Sequence, residues 1–275
     1  MSSAGADAGD RPEQLERLAV ELAEGAAAVV RAASGTSVEV SAKTTDTDLV
    51  TDVDKQTERW LRDRIEAARP GDGVLGEEGT GITARTRVRW IVDPIDGTVN
   101  FVLGLPQYAV SVAAELDGVV VAGAVSNVAL GETFHACLGG GAWLGQRRLT
   151  GPRAVDVSRA VVGTGFGYDA GQRARQAAVV ARLLPLIGDI RRLGSAALDL
   201  CAVAAGRIDA YFEAGLNPWD YAAGALVATE AGCLVSGLRG RPPGRSLTAA
   251  AAPATAPAFF ALLESLDADA VSNPS

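Results

Sequence analysis

The chain has 275 residues, of which 48% are hydrophobic and 21% are charged. This composition is typical of a globular protein with enough core for one large domain or two of moderate size. A net charge of −8 and a pI of about 4.8 argue against a general nucleic-acid-binding or membrane-binding surface, since either would need a basic face.

The cysteine pattern and the N-terminus bear on the compartment. Three isolated cysteines, without a C-x-x-C pair, indicate neither a zinc knuckle nor a disulfide framework and fit a reducing environment. The N-terminal segment lacks a basic region followed by an apolar core, and no apolar run reaches the roughly 20 residues that span a bilayer. We therefore expect a soluble, cytoplasmic protein.

The first half of the chain predicts an antiparallel sheet with two helices packed on it. After a flexible tail at 1–12, apolar residues recur every three or four positions and predict a helix over 13–31. Residues 34–50 predict an irregular segment or a hairpin, and a second helix is predicted over 51–68, before Pro70-Gly71. Predicted strands follow at 74–75, 88–92, 108–115, 119–126 and 132–138, with a hairpin turn at Asp117-Gly118.

The second half of the chain predicts alternating strands and helices, and so an α/β arrangement. Gly151-Pro152 marks a soft boundary between an α+β half over 13–150 and an α/β half over 151–275. The predicted strands are 160–164, 190–193, 208–212, 233–236 and 247–252, and the predicted helices are 172–184, one beginning near Ser195, 219–231 and 257–266.

One apolar run ends in an acidic turn. Trp90-Ile91-Val92 leads directly into Asp93-Pro94-Ile95-Asp96-Gly97-Thr98. Pro94 stiffens the exit from the strand, and Gly97 lets the backbone approach a ligand closely. Two carboxylates three positions apart on such a turn can converge, and a divalent cation between them removes their repulsion. Hard oxygen ligands suit Mg²⁺, to which the Ile95 carbonyl could also bind. The alternative is that these residues only cap the following helix.

Three further acidic stretches stand at the ends of predicted elements. Glu77-Glu78 follows the apolar Val74-Leu75, Asp48–Asp54 opens a helix, and Asp220 lies in the first turn after Asn217-Pro218. The acids at the two helix starts could simply cap the helix or complement its dipole. Four such stretches in one chain favour a metal site over four independent caps.

These motifs, in this order, resemble the inositol monophosphatase family of the Mg²⁺-dependent, lithium-sensitive phosphatases, whose superfamily includes the fructose-1,6-bisphosphatases. The resemblance extends from about residue 13 to the last predicted helix and is greatest to bacterial inositol-1-monophosphatases of the extragenic-suppressor type. The segments that carry it are Gly76–Glu78, Trp90–Thr98, Arg192–Leu200, Trp219–Gly224 with Glu230–Gly232, and Asp48–Thr51 with Asp54. It implies a layered α-β-α-β-α sandwich, which agrees with the predicted elements.

The resemblance implies two or three Mg²⁺ ions. Glu77, Asp93 and the Ile95 carbonyl would hold the first ion, and Asp93, Asp96 and Asp220 the second. A third, weaker ion would lie near Glu77 and bind through waters. Most of these ligands come from the first half of the chain. Two ions roughly 4 Å apart can clamp a phosphate and activate a water.

The resemblance also implies a catalytic group of Asp54, Thr98 and Glu77. The Thr98 hydroxyl would contact the activated water and pass its hydrogen bond to Asp54, and the Gly97 and Thr98 amides would hold phosphate oxygens. Direct in-line attack by water is expected. The paired-Asp nucleophile motif of other phosphatases has one residue between its two acids, whereas Asp93 and Asp96 have two residues between them.

For the polyol end of the substrate, the resemblance points to Ala196, Glu213 and Asp220, with Asp96 also contacting substrate. Glu213 follows a predicted strand and would accept hydrogen bonds from ring hydroxyls. From position alone it would be a solvated acid at a strand end. Lys43 could reach the third ion's waters or the phosphate, or be an ordinary surface lysine.

Other distinctive side chains have structural explanations. His135 is the only histidine and lies in a strand pattern without partner ligands, so a satisfied or surface role is expected. Trp90 and Trp219 are expected to anchor packing beside the site. The remaining tryptophans, Trp60 and Trp143, are expected to pack only.

The expected activity is hydrolysis of myo-inositol 1-phosphate, or a close polyol phosphate, by a homodimer that Li⁺ inhibits. The same chemistry on histidinol phosphate, fructose 1,6-bisphosphate or a 3′-phosphoadenosine nucleotide is the alternative. The last two would need basic residues for a second phosphate, for which Arg191 and Arg192 are available. Val99 and Leu103 depart from the family pattern and leave the shape of the sugar side open. A non-catalytic role as a partner of the transcription or ribosome machinery also stays open.

Overall fold

The structure is a computed structural model of the chain, and it describes residues 8–34, 40–42, 49–79 and 81–270. Within that part, seven α-helices and two large sheets alternate in layers: two helices, seven strands, two helices, five strands and two helices, with one short helix at the site. This confirms the predicted α-β-α-β-α sandwich. The predictions for Lys43 and Asp48 lie outside the described residues, as does most of the predicted tail.

The first layer consists of α1 (Pro12–Ala33) and α2 (Asp52–Ala68). Leu15, Ala19, Leu22, Ala26 and Val30 recur at helical spacing, and α1 buries them against the sheet. The Thr51 side chain accepts the Asp54 N–H and so fixes the start of α2. Two short strands, β1 (Val40–Ala42) and β2 (Leu49–Thr51), pair antiparallel before α2, which agrees with the hairpin alternative for the described part of this segment.

The seven-stranded sheet follows chain order. Its strands are β3 (Gly73–Gly76), β4 (Val88–Asp96), β5 (Ala109–Leu116), β6 (Val119–Asn127), β7 (Glu132–Cys137), β8 (Gly141–Leu144) and β9 (Arg147–Arg148). Only β3 and β4 pair in parallel; all later neighbours are antiparallel. The sequence interpretation missed β8 and β9, because two strands of four and two residues are too short to show an alternating pattern.

The acidic turn is part of a strand, which corrects the prediction that the strand ends at Val92. β4 continues to Asp96, and its pairing with β5 places Asp93 opposite Ser111 but Asp96 opposite Ala109. Four residues on β4 therefore face three on β5, which is a β-bulge. Pro94 has no N–H to donate, and a bulge is a position in a sheet where proline is tolerated. The acids are thus held by strand pairing rather than by a free loop.

A second helical layer separates the two sheets. It consists of α5 (Ala196–Ala204) and α6 (Pro218–Glu230), which follow the short site helix α3 (Thr98–Leu103) and the outer helix α4 (Ala170–Leu183) in the chain. Every residue of α5 is buried, because α5 contacts α6 and strands of both sheets. A side chain at Gly224 would clash with the Ala197 carbonyl at 2.9 Å, so glycine allows the two helices to pack closely.

The five-stranded sheet contains β10 (Val161–Thr164), β11 (Asp189–Arg191), β12 (Ala210–Glu213), β13 (Leu234–Ser236) and β14 (Thr248–Ala251), in the order β11-β10-β12-β14-β13. β10 and β12 pair in parallel, so their carboxyl ends lie at the same edge. Helix α4 and α7 (Ala256–Ser265) cover the outer face. The two sheets fall on either side of residue 150, and the domain boundary itself stays a prediction. Among the described helices, none combines the length and apolar character needed to span a bilayer.

Candidate active site

A cavity of about 510 Å³ lies where strands of both sheets end and α5 and α6 begin. Nine of the ten predicted site residues line it: Glu77, Asp93, Ile95, Asp96, Gly97, Thr98, Ala196, Glu213 and Asp220. The tenth, Asp54, is fully buried and lies behind Thr98. The fold thus brings together residues that are up to 166 positions apart in the sequence, from Asp54 to Asp220.

Four carboxylates share one end of this cavity. Asp93 is 1% exposed, and burial together with the charges of Glu77, Asp96 and Asp220 raises its pKa well above the ordinary value. Glu77 and Asp93 are close enough to share a hydrogen bond. Burial also raises the pKa of Asp220, again with Asp96 and Glu77 as the repelling charges. Acids from three distant segments therefore lie within one another's electric field.

Local hydrogen bonds hold these carboxylates in place. Asp96 Oδ2 accepts hydrogen bonds from Ser195 Oγ at 2.6 Å and from the Ala197 amide at 2.7 Å, which ties β4 to the start of α5. Burial raises the pKa of Asp96 to about 6, although these two bonds act in the opposite direction. Asp220 Oδ2 accepts the Asn217 amide at 2.6 Å, so the start of α6 fixes this side chain.

The donor set fits a hard divalent cation. Among the described residues, no group of three or more Asp, Glu, His or Cys side chains is arranged closely enough to coordinate a metal ion without some movement. However, no ion pair from a described Lys or Arg engages Asp93, Asp96 or Asp220, so their buried charge has no cationic partner there. Buried charges need such a partner, and carboxylate and carbonyl oxygens are what Mg²⁺ prefers.

The predicted pair of Asp54 and Thr98 is in contact. Thr98 Oγ1 lies 3.1 Å from Asp54 Oδ1 and 3.0 Å from the Ile95 carbonyl oxygen. Asp54 Oδ2 accepts the Thr51 amide at 2.9 Å and also contacts the Thr51 hydroxyl. Burial raises the pKa of Asp54, while the hydrogen bonds from Thr51 and Thr98 lower it. Asp54 is therefore a fixed acceptor directly behind the Thr98 hydroxyl.

Gly97 joins the acidic strand to α3 through a backbone that only glycine adopts readily. Its φ is +94°, in the left-handed region. A side chain there would meet the Gln107 carbonyl oxygen at 2.9 Å and the Gly194 carbonyl oxygen at 3.1 Å. Gly97 thus lets α3 start with one residue between it and Asp96, and both Gly97 and Thr98 line the cavity.

The other end of the cavity carries Glu213, at the end of β12. Burial raises its pKa to about 7, against the effects of a hydrogen bond from Tyr211 and of the nearby Arg192 charge. Ala196, in the first turn of α5, lines the wall between this end and the acids. Arg192 also lines the cavity, whereas Arg191 does not and pairs with Asp189 at 2.6 Å.

The sequence interpretation missed one wall of the cavity. It consists of the segment from Gly165 to Asp169 after β10, the side chain of Gln172 in α4, and Arg245. Gly165-Phe166-Gly167, directly after a predicted strand, was the available signal, because glycines at a strand end often mark a close backbone approach. Arg245 gave no comparable signal within its glycine- and proline-rich loop.

The remaining predicted side chains have structural partners. His135 Nδ1 lies 2.7 Å from Glu16 Oε1 and its Nε2 lies 3.0 Å from the Gly145 carbonyl oxygen, which agrees with a satisfied role. Trp90 is fully buried and donates to Asp72 Oδ2 at 2.9 Å. Leu103, which departs from the family pattern, is 67% exposed and does not line the cavity.

Comparisons with known proteins identify the family of the chain. Residues 11–268 match the model of the inositol monophosphatase family. The chain is 50% identical to the inositol-1-monophosphatase of Mycobacterium leprae, over 92% of this chain and 94% of that protein. It is 42% identical to the Nus factor SuhB of Escherichia coli K12, over 74% of this chain and 77% of that protein. Among solved structures, Mycobacterium tuberculosis SuhB matches with a TM-score of 0.80 and 44% identity, covering 94% of this chain and 98% of that one.

Proposed function

The chain belongs to the inositol monophosphatase family and is a phosphoric monoester hydrolase, and we propose that it hydrolyses myo-inositol 1-phosphate or a close polyol phosphate with Mg²⁺. The observation that carries the proposal is the division of one cavity into two ends. Carboxylates from three segments, of which Asp93 and Asp96 are buried, occupy one end, and Glu213, a hydrogen-bond acceptor suited to hydroxyls, occupies the other. The inositol-1-monophosphatase name of the Mycobacterium leprae relative supports this substrate class.

The acidic end would hold the metal ions. We propose Glu77, Asp93 and the Ile95 carbonyl as ligands of the first ion, and Asp93, Asp96 and Asp220 as ligands of the second. Bound there, Mg²⁺ would neutralise phosphate oxygens and lower the pKa of a water. Asp93 would be common to both sites, which agrees with its position as the carboxylate that all the others repel.

Asp54 and Thr98 would orient the attacking water. Thr98 lines the cavity, and its hydroxyl can donate a hydrogen bond to Asp54 Oδ1 while its oxygen would accept a hydrogen bond from a water in the cavity. This arrangement directs a water lone pair towards phosphorus. The Gly97 and Thr98 amides would bind the phosphate oxygens and hold the ester in line for attack.

The polyol would lie against Ala196, Asp220 and Glu213, so that ring hydroxyls donate to the two carboxylates. The presence of Arg192 and Arg245 in the same cavity favours one alternative, a substrate with a second phosphate, over histidinol phosphate. A role as a partner of the transcription machinery, suggested by the Nus factor name of the Escherichia coli relative, would not require the buried carboxylates. Inhibition by Li⁺, a homodimer and a cytoplasmic location belong to the same proposal.

A panel of phosphate esters assayed with Mg²⁺ and ranked by kcat/KM tests the substrate. We expect myo-inositol 1-phosphate to rank above fructose 1,6-bisphosphate, histidinol phosphate and a 3′-phosphoadenosine nucleotide. Asp220→Asn should lower kcat/KM by at least about 100-fold on every ester with the fold retained, since it removes a metal ligand. Wild-type turnover by this variant would contradict the metal assignment, and a different leading ester would contradict the substrate.

A further inference from the structure

The side chain of Tyr211 supports Glu213 from the core. The two residues share one face of β12, because side chains two positions apart in a strand point the same way. The Tyr211 hydroxyl donates a hydrogen bond of 2.8 Å to Glu213 Oε2. Tyr211 is 0% exposed and belongs to the core cluster between the two sheets, so its ring cannot follow a moving carboxylate. The phenol is therefore a fixed donor to Glu213.

Gly165 confines the same carboxylate from the neighbouring strand. It directly follows Thr164, which pairs with Phe212 in the parallel β10–β12 ladder, so its backbone passes next to Glu213. A Cβ at Gly165 would overlap the Glu213 carboxylate. Because the φ of Gly165 lies outside the left-handed region, alanine could adopt this backbone. The need for glycine here comes from the space that Glu213 occupies.

Two glutamines of α4 make this wall rigid. Gln176 Oε1 accepts the Gly167 amide at 2.9 Å, and Gln176 Nε2 donates to the Ala214 carbonyl oxygen at 3.3 Å. Gln172 Nε2 also donates to the Ala214 carbonyl oxygen, at 3.4 Å. One helix therefore holds both the segment after Gly165 and the residue after Glu213.

Nearby charges pull on Glu213 in opposite directions. Arg192 attracts its carboxylate, and Asp96 repels it. Asp199 is 1% exposed and has no hydrogen-bond partner for either carboxylate oxygen among the described residues, and its burial, followed by the charge of Glu213, raises its pKa. Without the hydrogen bond from Tyr211, these charges would decide where the carboxylate points.

We propose that Tyr211 and Gly165 are positioning residues that hold the Glu213 carboxylate towards the polyol and thereby set the preference for polyol phosphates. This inference rests on the proposed function, in which Glu213 binds ring hydroxyls. Neither residue touches the phosphate end of the cavity, so their effect belongs to substrate recognition and not to the attack on phosphorus.

Tyr211→Phe removes only the hydroxyl and tests the proposal. We expect the KM for myo-inositol 1-phosphate to rise about tenfold, the change that follows loss of one hydrogen bond to a charged group, with kcat changed by less than about twofold. Both constants for p-nitrophenyl phosphate, which has no ring hydroxyls, should stay at wild-type values. Gly165→Ala should raise the same KM while the core phenol remains intact, which keeps the test usable if Tyr211→Phe fails to fold.

A double-mutant cycle separates positioning from general damage. In a Glu213→Gln background, Tyr211→Phe should add less than about a twofold change in KM, because its effect acts through the carboxylate. Tyr108→Phe is the matched control: its hydroxyl lies 3.4 Å from Ser34 Oγ, away from the cavity lining, and both esters should give wild-type constants.

Three results would overturn the inference. The first is a wild-type KM in both Tyr211→Phe and Gly165→Ala although Glu213→Gln raises it. The second is an equal loss on both esters, and the third is an undiminished effect of Tyr211→Phe in the Glu213→Gln background. If Glu213→Gln itself leaves the ranking of esters unchanged, the proposed role of Glu213 fails and the positioning role fails with it.

Discussion

Asp93→Asn should abolish the stabilisation of the fold by Mg²⁺ and, at the same time, stabilise the metal-free fold. Asp93 is the proposed ligand common to both ions and is 1% exposed among three other acids. The Ile95 amide donates to Asp93 Oδ1 at 3.0 Å, a bond that an asparagine oxygen can also accept, so the backbone should stay in place. The substitution therefore removes charge with little change in packing.

The size of the effect follows from linkage. At a Mg²⁺ concentration 100 times its Kd, one bound ion stabilises the fold by about 2.7 kcal/mol. For a chain of this size, that corresponds to a rise in Tm of about 5–10 °C. We expect wild type to show this rise between EDTA and MgCl₂ in a thermal-unfolding assay, and Asp93→Asn to lose it. In EDTA, the variant should unfold at a higher temperature than wild type, because one of the mutually repelling buried charges is gone.

Asp72→Asn is the matched control, since Asp72 is also buried but has partners. Asp72 accepts hydrogen bonds from Arg69 Nε at 2.9 Å, Trp90 Nε1 at 2.9 Å and Thr86 Oγ1 at 2.6 Å. Losing its charge should destabilise the fold by about 2 kcal/mol and leave the Mg²⁺-induced rise intact. A Mg²⁺-induced rise of wild-type size in Asp93→Asn would refute the reasoning, as would loss of that rise in Asp72→Asn.

Two further predictions concern the fold. Hydrogen bonding to Glu16 raises the pKa of His135 in the folded protein. The pair should therefore add about 1 kcal/mol to the free energy of unfolding at pH values below the ordinary histidine pKa of about 6.5. This stabilisation should be lost as the pH rises through the higher pKa of the folded state. Urea unfolding of wild type and His135→Gln at several pH values checks this, and a difference independent of pH would contradict it. Gly123→Ala would place a Cβ 3.0 Å from Ala223 Cα, so α6 would have to shift. We expect the free energy of unfolding to fall by about 1–3 kcal/mol. An unchanged urea midpoint would contradict this prediction.

Elements with strong local signals could be predicted from the sequence. The helical spacing of buried residues gave α1 to within two residues at each end. Asp117-Gly118 was predicted as a hairpin turn, and both residues have positive φ, 50° and 86°, as a tight turn of this kind requires. In each case the residues that determine the local structure lie within a few positions of one another in the sequence.

Features that depend on distant pairing could not be predicted. The extension of β4 through the acids comes from its partner β5, which supplies Ser111 and Ala109 as neighbours on either side of the bulge. Similarly, Gly165 approaches Glu213 only because β10 and β12 pair in parallel, 48 residues apart at Thr164 and Phe212. Neither strand pairing produces a recognisable pattern in the local sequence.

The two ends of the cavity differ in how far sequence could reveal them, and the difference bears on substrate choice. The proposed metal end depends on charged residue types in short motifs, so its proposed members could be named from the sequence before the fold was known. The polyol end depends on the shape of neutral groups, such as the bare backbone of Gly165 and the phenol of Tyr211, beside one acid. Two chains with the same acidic motifs can therefore share the attack on phosphorus and still differ in substrate. For this reason the five-stranded sheet, which carries the wall around Glu213, is where differences in substrate preference should arise.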